Sequence, residues 1–165
     1  MPPKKNSISL IAKFLLSLTY LSGIIDMLFR FVPALAATFT MSDATWDFMI
    51  NIYDLYTVLQ YLPHILFMGL YVWVIRAPRD KFSYFTKYHV MHYLVLFTAE
   101  QLLYDFFVRI SFAYFGTNLA LGVGIFCFTL IAAVSVECIS NVLLANYVTI
   151  PLVTDAVLVH IGDER

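Results

Sequence analysis

The segment from Lys87 to Ala113 is long enough to cross a bilayer, yet it carries Glu100, Gln101, Asp105 and Arg109. A hydrocarbon core of about 30 Å takes roughly 20 apolar residues in helical form, and a charge near its middle costs about 2.5 kcal/mol or more. A helix that keeps such groups needs neighbours to receive them. Asp105 and Arg109 stand one turn apart and are placed to neutralise each other on one face. Glu100 lies off that face and must turn to other helices or to water. It reads either as a neutral or carbonyl-paired structural residue inside a bundle or as part of a substrate path.

Composition sets the class. Of the 165 residues, 61% are hydrophobic and 13% are charged, against about 45–50% apolar residues in soluble domains. The chain is an integral membrane protein on this count. A formal net charge of −1 leaves no basic face for nucleic acid. Cys127 and Cys138 fall about 16 Å apart along one predicted helix, too far to bridge, and read as free buried thiols. No metal-ligand spacing, nucleophile elbow or phosphate-binding glycine loop is present, so neither catalysis nor a cofactor is indicated; lipids are the expected contacts.

Four spans are predicted, over 8–31, 53–75, 88–113 and 119–144, followed by a tail over 146–165 that is too short and polar to cross again. The expected fold is an all-α integral membrane four-helix bundle in a single domain over 1–165. Pro33 predicts a bend and Pro63 a kink or a helix start. Ser42, Asp43, Trp46 and Asp47 read as an interfacial connection. Four spans put both termini on one side. Lys4, Lys5 and Lys13 and the connection with Arg76, Arg79, Lys81 and Lys87 share that side, whereas Asp43, Asp47 and Asp54 mark the other. The positive-inside rule then places both termini in the cytoplasm-equivalent compartment.

Asp26 and Arg30 repeat the one-turn acid and base spacing of Asp105 and Arg109, at a comparable distance from the basic side. Crosswise pairing, Asp26 with Arg109 and Arg30 with Asp105, is one way to join the first and third spans. Glu137 lies nearer the basic side with no evident partner. These six residues, Asp26, Arg30, Glu100, Asp105, Arg109 and Glu137, are the candidate intramembrane polar or path positions. His89 and His92 share a helix face, which suits either interfacial anchoring to headgroups and backbone or ligation of a pigment or haem. The second reading motivates an alternative class, a subunit of a photosynthetic complex. A small-solute carrier is a weaker alternative, because internal repeats are lacking. No cleavable secretory signal or plastid leader is visible at the start.

The end of the chain is more specific. Tyr147, Ile150, Pro151, Val153, Thr154, Asp155 and Ala156 match, at the right spacing, the pattern G-x-Y-x-x-I-P-x-[IV]-[ST]-[DE]-A that closes the Tic 20-kDa family of chloroplast inner envelopes and cyanobacteria. Tyr20, Leu21, Asp26 and Leu28 resemble its L-x-Y-L-L-P-L-x-[DE]-x-L element. Phe85, Lys87 and Tyr88 are similar to its F-x-R-F-N-x-x-Q element. The chain departs from the pattern at His89 and His92, which stand for Asn and Gln, at Gly23, which stands for Pro, and at Ala145, which stands for Gly. The resemblance implies a non-enzymatic membrane subunit of the plastid inner-envelope import translocon. That subunit has both termini in the stroma and helps to form a preprotein-conducting pathway with other translocon subunits. A start without a leader suits a plastid-encoded or cyanobacterial member.

Overall fold

The structure, a computed structural model, describes residues 8–36, 47–48, 50–51, 54, 61–78, 81–107, 110, 114, 117–151 and 153–162, with side chains omitted at 32–36 and 117. Among these the regular elements are all helical. They are α1 (Leu10–Ala36), α2 (Leu62–Leu70), α3 (Tyr84–Phe106), α4 (Thr117–Leu143) and α5 (Val153–Ile161). Asp43, Trp46, Arg79 and Arg109 lie outside the described residues.

The helix ends have local causes. Pro63 occupies the first turn of α2, where its missing N–H would have had no helical partner. Of the two expectations at Pro63, a kink or a helix start, the second is what the structure shows. A π-helical turn over Tyr71–Ile75 prolongs α2 and ends where the Arg76 N–H reaches the Tyr71 carbonyl at 3.0 Å. Ser83 caps α3, its hydroxyl accepting from the Thr86 N–H at 3.2 Å, so α3 begins four residues before the expected 88. Helix α1 also runs past its expected end at 31, through Pro33 to Ala36. A proline there removes one backbone bond, and the flanking turns carry the helix across it.

At the C-terminus of α4 the Asn146 N–H reaches the Asn141 carbonyl at 2.8 Å and the Ala145 N–H reaches the Val142 carbonyl at 3.1 Å. That pair of bonds is a Schellman closure, whose turning residue adopts the left-handed conformation. Here it is Ala145, with φ 56°.

Helices α1 and α4 are long and apolar enough to cross a membrane, over Leu10–Phe31 and Asn118–Leu143. They pack along each other, and α3 lies against α1, α4, α5 and the turn that ends α2. Helix α3 is the least apolar of the five and carries a long buried run from Lys87 to Leu94. Lys87, His89, His92 and Glu100 are sheltered by its neighbours, which reconciles these polar groups with a lipid setting. Two apolar clusters result. One joins Leu16, Tyr20, Phe85, Tyr88, Phe97, Cys138 and Val157. The other joins Met27, Phe31, Phe107, Cys127 and Ile131.

Candidate functional site

Between the two apolar clusters, on α1 and α3, lies a polar layer. Asp26 is 2% exposed and pairs with Arg30 one turn along its own helix, Nε to Oδ2 2.9 Å. The N–H of that nitrogen is not aligned on the oxygen, so the contact is an ion pair without a formed hydrogen bond. Gln101 of α3 supplies an interhelical bond, its Nε2 donating to the same Oδ2 at 3.2 Å. The Arg30 guanidinium lies 5.7 Å from the centre of the Tyr104 ring, within cation–π range. Asp26 is therefore held by its own helix and by an amide. Of the crosswise scheme, Arg30 is engaged by Asp26, and Arg109 falls outside the described residues.

Glu100 is 2% exposed, and its Oε1 has no hydrogen-bond partner among the described residues. Gly23 of α1 faces α3 here: a Cβ on it would make ordinary contacts with Tyr93 at 3.6 Å and Glu100 Oε2 at 3.7 Å. Above this contact the Ser22 hydroxyl donates to the Thr19 carbonyl at 2.7 Å. It also lies 3.2 Å from the Tyr93 hydroxyl. Beside Asp26 a cavity of about 270 Å³ opens between α1 and α2, lined by Ser22, Ile25, Phe29, Leu62, Pro63 and Leu66. Asp105 is exposed near the end of α3. Glu137 does not join this layer; it is exposed on α4.

A second assembly lies toward the other end of α3. Tyr20 of α1, 1% exposed, donates its hydroxyl to the His89 carbonyl at 3.0 Å and sits 3.3 Å from His89 Nδ1. His89 Nε2 lies 3.1 Å from the Asn146 carbonyl, which only accepts, so Nε2 carries the proton and Nδ1 is the acceptor in the neutral ring. Tyr88 donates to the Val148 carbonyl, and Tyr84 donates to the Gly162 carbonyl at 3.0 Å. Tyr147 meets Phe85 at 5.5 Å and Tyr88 at 5.0 Å between ring centres. The α5 entry is closed by Thr154, whose hydroxyl accepts from the Ile150 N–H at 2.9 Å. Pro151 sits in that turn. Asp155 occupies the first turn of α5, where the helix dipole favours an acid. Ala156 accepts at its carbonyl from His160 Nδ1 at 2.8 Å.

Both His89 and His92 are fully buried, so the expected headgroup contacts give way to contacts inside the protein. His92 Nδ1 faces Cys138 Sγ at 3.8 Å, while its Nε2 is buried without a hydrogen-bond partner among the described residues. Cys127 and Cys138 are free and buried. Lys87 is only 9% exposed and donates to the carbonyls of Ala77 at 2.7 Å and Pro78 at 3.2 Å. It thus ties α3 to the connection before it. Lys13 of α1 reaches the C-terminal end of α4, donating to the Leu143 carbonyl at 2.8 Å. Sequence reasoning missed the Tyr20, His89 and Asn146 chain of bonds. The available signal was that each residue lies in or beside one of the three stretches singled out by resemblance.

Apolar helices of bilayer length around a largely buried polar layer, with a C-terminal segment packed on the central helix, define a helical membrane subunit. Residues 7–157 match the family model described as chloroplast import apparatus, Tic20-like, and the chain belongs to that family. No curated protein matches it. Membership makes it a non-enzymatic translocon component of the multi-span membrane class, with a role in chloroplast protein import, association with the import apparatus and a plastid membrane location.

Proposed function

We propose that this chain is a membrane subunit of the inner-envelope import translocon, that it crosses the membrane four times with both termini in the stroma, and that it helps to form the path taken by unfolded preproteins. The observation that carries this reading is the polar layer of Asp26, Arg30, Glu100 and Gln101 between two apolar clusters. An anchor has no use for such groups, and intramembrane ionisable residues mark transport paths or the joints of a bundle. No covalent chemistry is required of it. The chain's few helices are too few to enclose a wide polypeptide channel, so other translocon subunits complete the path.

The test is a preprotein stalled in transit across the native membrane, with photo-crosslinking side chains placed at Thr98, Leu102 and Asp105. Adducts between these positions and the preprotein are the expected result. Efficient import with no adduct at any of the three would remove this segment from the path.

A further inference from the structure

Glu137 stands on the outside of the most apolar of the long helices. It is exposed, its backbone carbonyl accepts from Asn141 Nδ2 at 3.0 Å, and no described residue meets its carboxylate. Lys13 donates to the Leu143 carbonyl and so marks the end of α4. Glu137 is six residues inside that end, about 9 Å along the axis. Helical side chains tilt toward the N-terminus of their helix. The Glu137 side chain therefore leans away from the Lys13 level and toward the middle of the membrane. A glutamate lacks the long stem by which lysine and arginine return to the headgroups.

Its neighbours offer no relief. Val136 and Ala133 are exposed and apolar, and the Ser140 hydroxyl is spent on the Val136 carbonyl at 2.9 Å. On the same helix nothing lies within 4 Å of a Cβ placed at Gly122. Small residues at such positions let a second helix come close. An acid facing lipid on such a helix is costly unless another chain supplies its counter-charge.

We infer that the Glu137 face of α4 is the interface for a membrane-spanning helix of a different subunit, one that presents a lysine or arginine at the depth of Glu137. A second copy of this chain is a poor occupant. A two-fold pairing on this face sets Glu137 against Glu137, and the cations described on the helices are already engaged: Lys13 by Leu143, Arg30 by Asp26, Lys87 by Ala77 and Pro78. The inference rests on the proposed reading of the chain as part of a multi-subunit complex.

The experiment uses the full chain in its native membrane, with p-benzoylphenylalanine at Ala133 or, as a control on another face, at the exposed Phe14. The expected product is an adduct from position 133 to a membrane segment of another subunit, mapped within a few residues of a Lys or Arg. Glu137→Lys lowers its yield at least tenfold and Glu137→Gln several-fold, while both isolated variants keep the parent's melting temperature. Adducts only to lipid, adducts only to another copy, or a yield indifferent to Glu137→Lys would overturn the inference. If translocon subunits co-purify but none is crosslinked from 133, the inference fails and the import reading stands. If the captured helix belongs to a complex unrelated to import, the interface stands and the import reading fails.

Discussion

The Tyr20 hydroxyl in α1 is shared between two acceptors of one residue in α3, the His89 carbonyl at 3.0 Å and the His89 ring Nδ1 at 3.3 Å. The same ring passes its Nε2 proton to the Asn146 carbonyl at 3.1 Å. One phenol thus connects α1, α3 and the C-terminal segment. Tyr20→Phe keeps the ring packing and removes the bond, and a buried neutral hydrogen bond contributes about 1 kcal/mol. The expected result is a loss of that size in detergent or nanodisc unfolding. His89→Asn retains a donor and an acceptor and should cost less than His89→Leu, which strands the Asn146 carbonyl.

Ala145 should respond in the opposite direction. Its φ of 56° places a Cβ where the left-handed conformation costs an L-residue about 1–2 kcal/mol. Glycine carries no such penalty. Ala145→Gly is expected to stabilise the protein by about 1 kcal/mol, and Ala145→Val to destabilise it by more. Melting curves of the two variants should fall on opposite sides of the parent's.

The polar layer predicts non-additivity. Asp26→Ala leaves the Arg30 guanidinium, 13% exposed at its side chain, without its carboxylate, and breaking a buried pair from one side costs about 3–5 kcal/mol. Removing both partners deletes the unpaired charge as well. The Asp26→Ala, Arg30→Ala double variant should therefore be less destabilised than the sum of the singles. Gln101→Leu should cost about 1 kcal/mol in the parent and nothing further once Asp26 is alanine. Additive losses throughout would show that the three groups do not act together.

Lys87 offers a local readout. Its ammonium holds the Ala77 and Pro78 carbonyls, two residues in the connection between Ile75 and Tyr84. Lys87→Met frees both carbonyls, so trypsin should cut after Arg76 and Lys81 faster than in the parent. Lys87→Arg, with a longer cation, should give an intermediate rate. An unchanged rate for Lys87→Met would mean that other contacts hold the connection.

Much of the helical layout was legible in the chain. The apolar run expected over 119–144 corresponds to α4 at Thr117–Leu143 within two residues, because length and composition alone mark such a helix. The one-turn spacing of Asp26 and Arg30 is likewise a local fact, and their ion pair follows from it. Helix α1 continues five residues past the expected end at 31, because a proline's cost is local and the helix runs on through Pro33 to Ala36. Glu137 misled. Its polarity suggested an interior position, yet α4 turns it outward.

Sequence by itself determined the helical membrane class, the position of α4 and, through three short motifs, the family. Tertiary structure alone decided which of those motifs touch. Tyr20 and His89 are 69 residues apart, His89 and Asn146 57, and Asp26 and Gln101 75. The physical reason is rotational. In a soluble helix the polar face tells which side looks outward, whereas in lipid both faces are apolar and the pattern carries little information about rotation about the axis. That rotation is settled only when the helices pack and buried polar groups such as Asp26 and Gln101 find their partners.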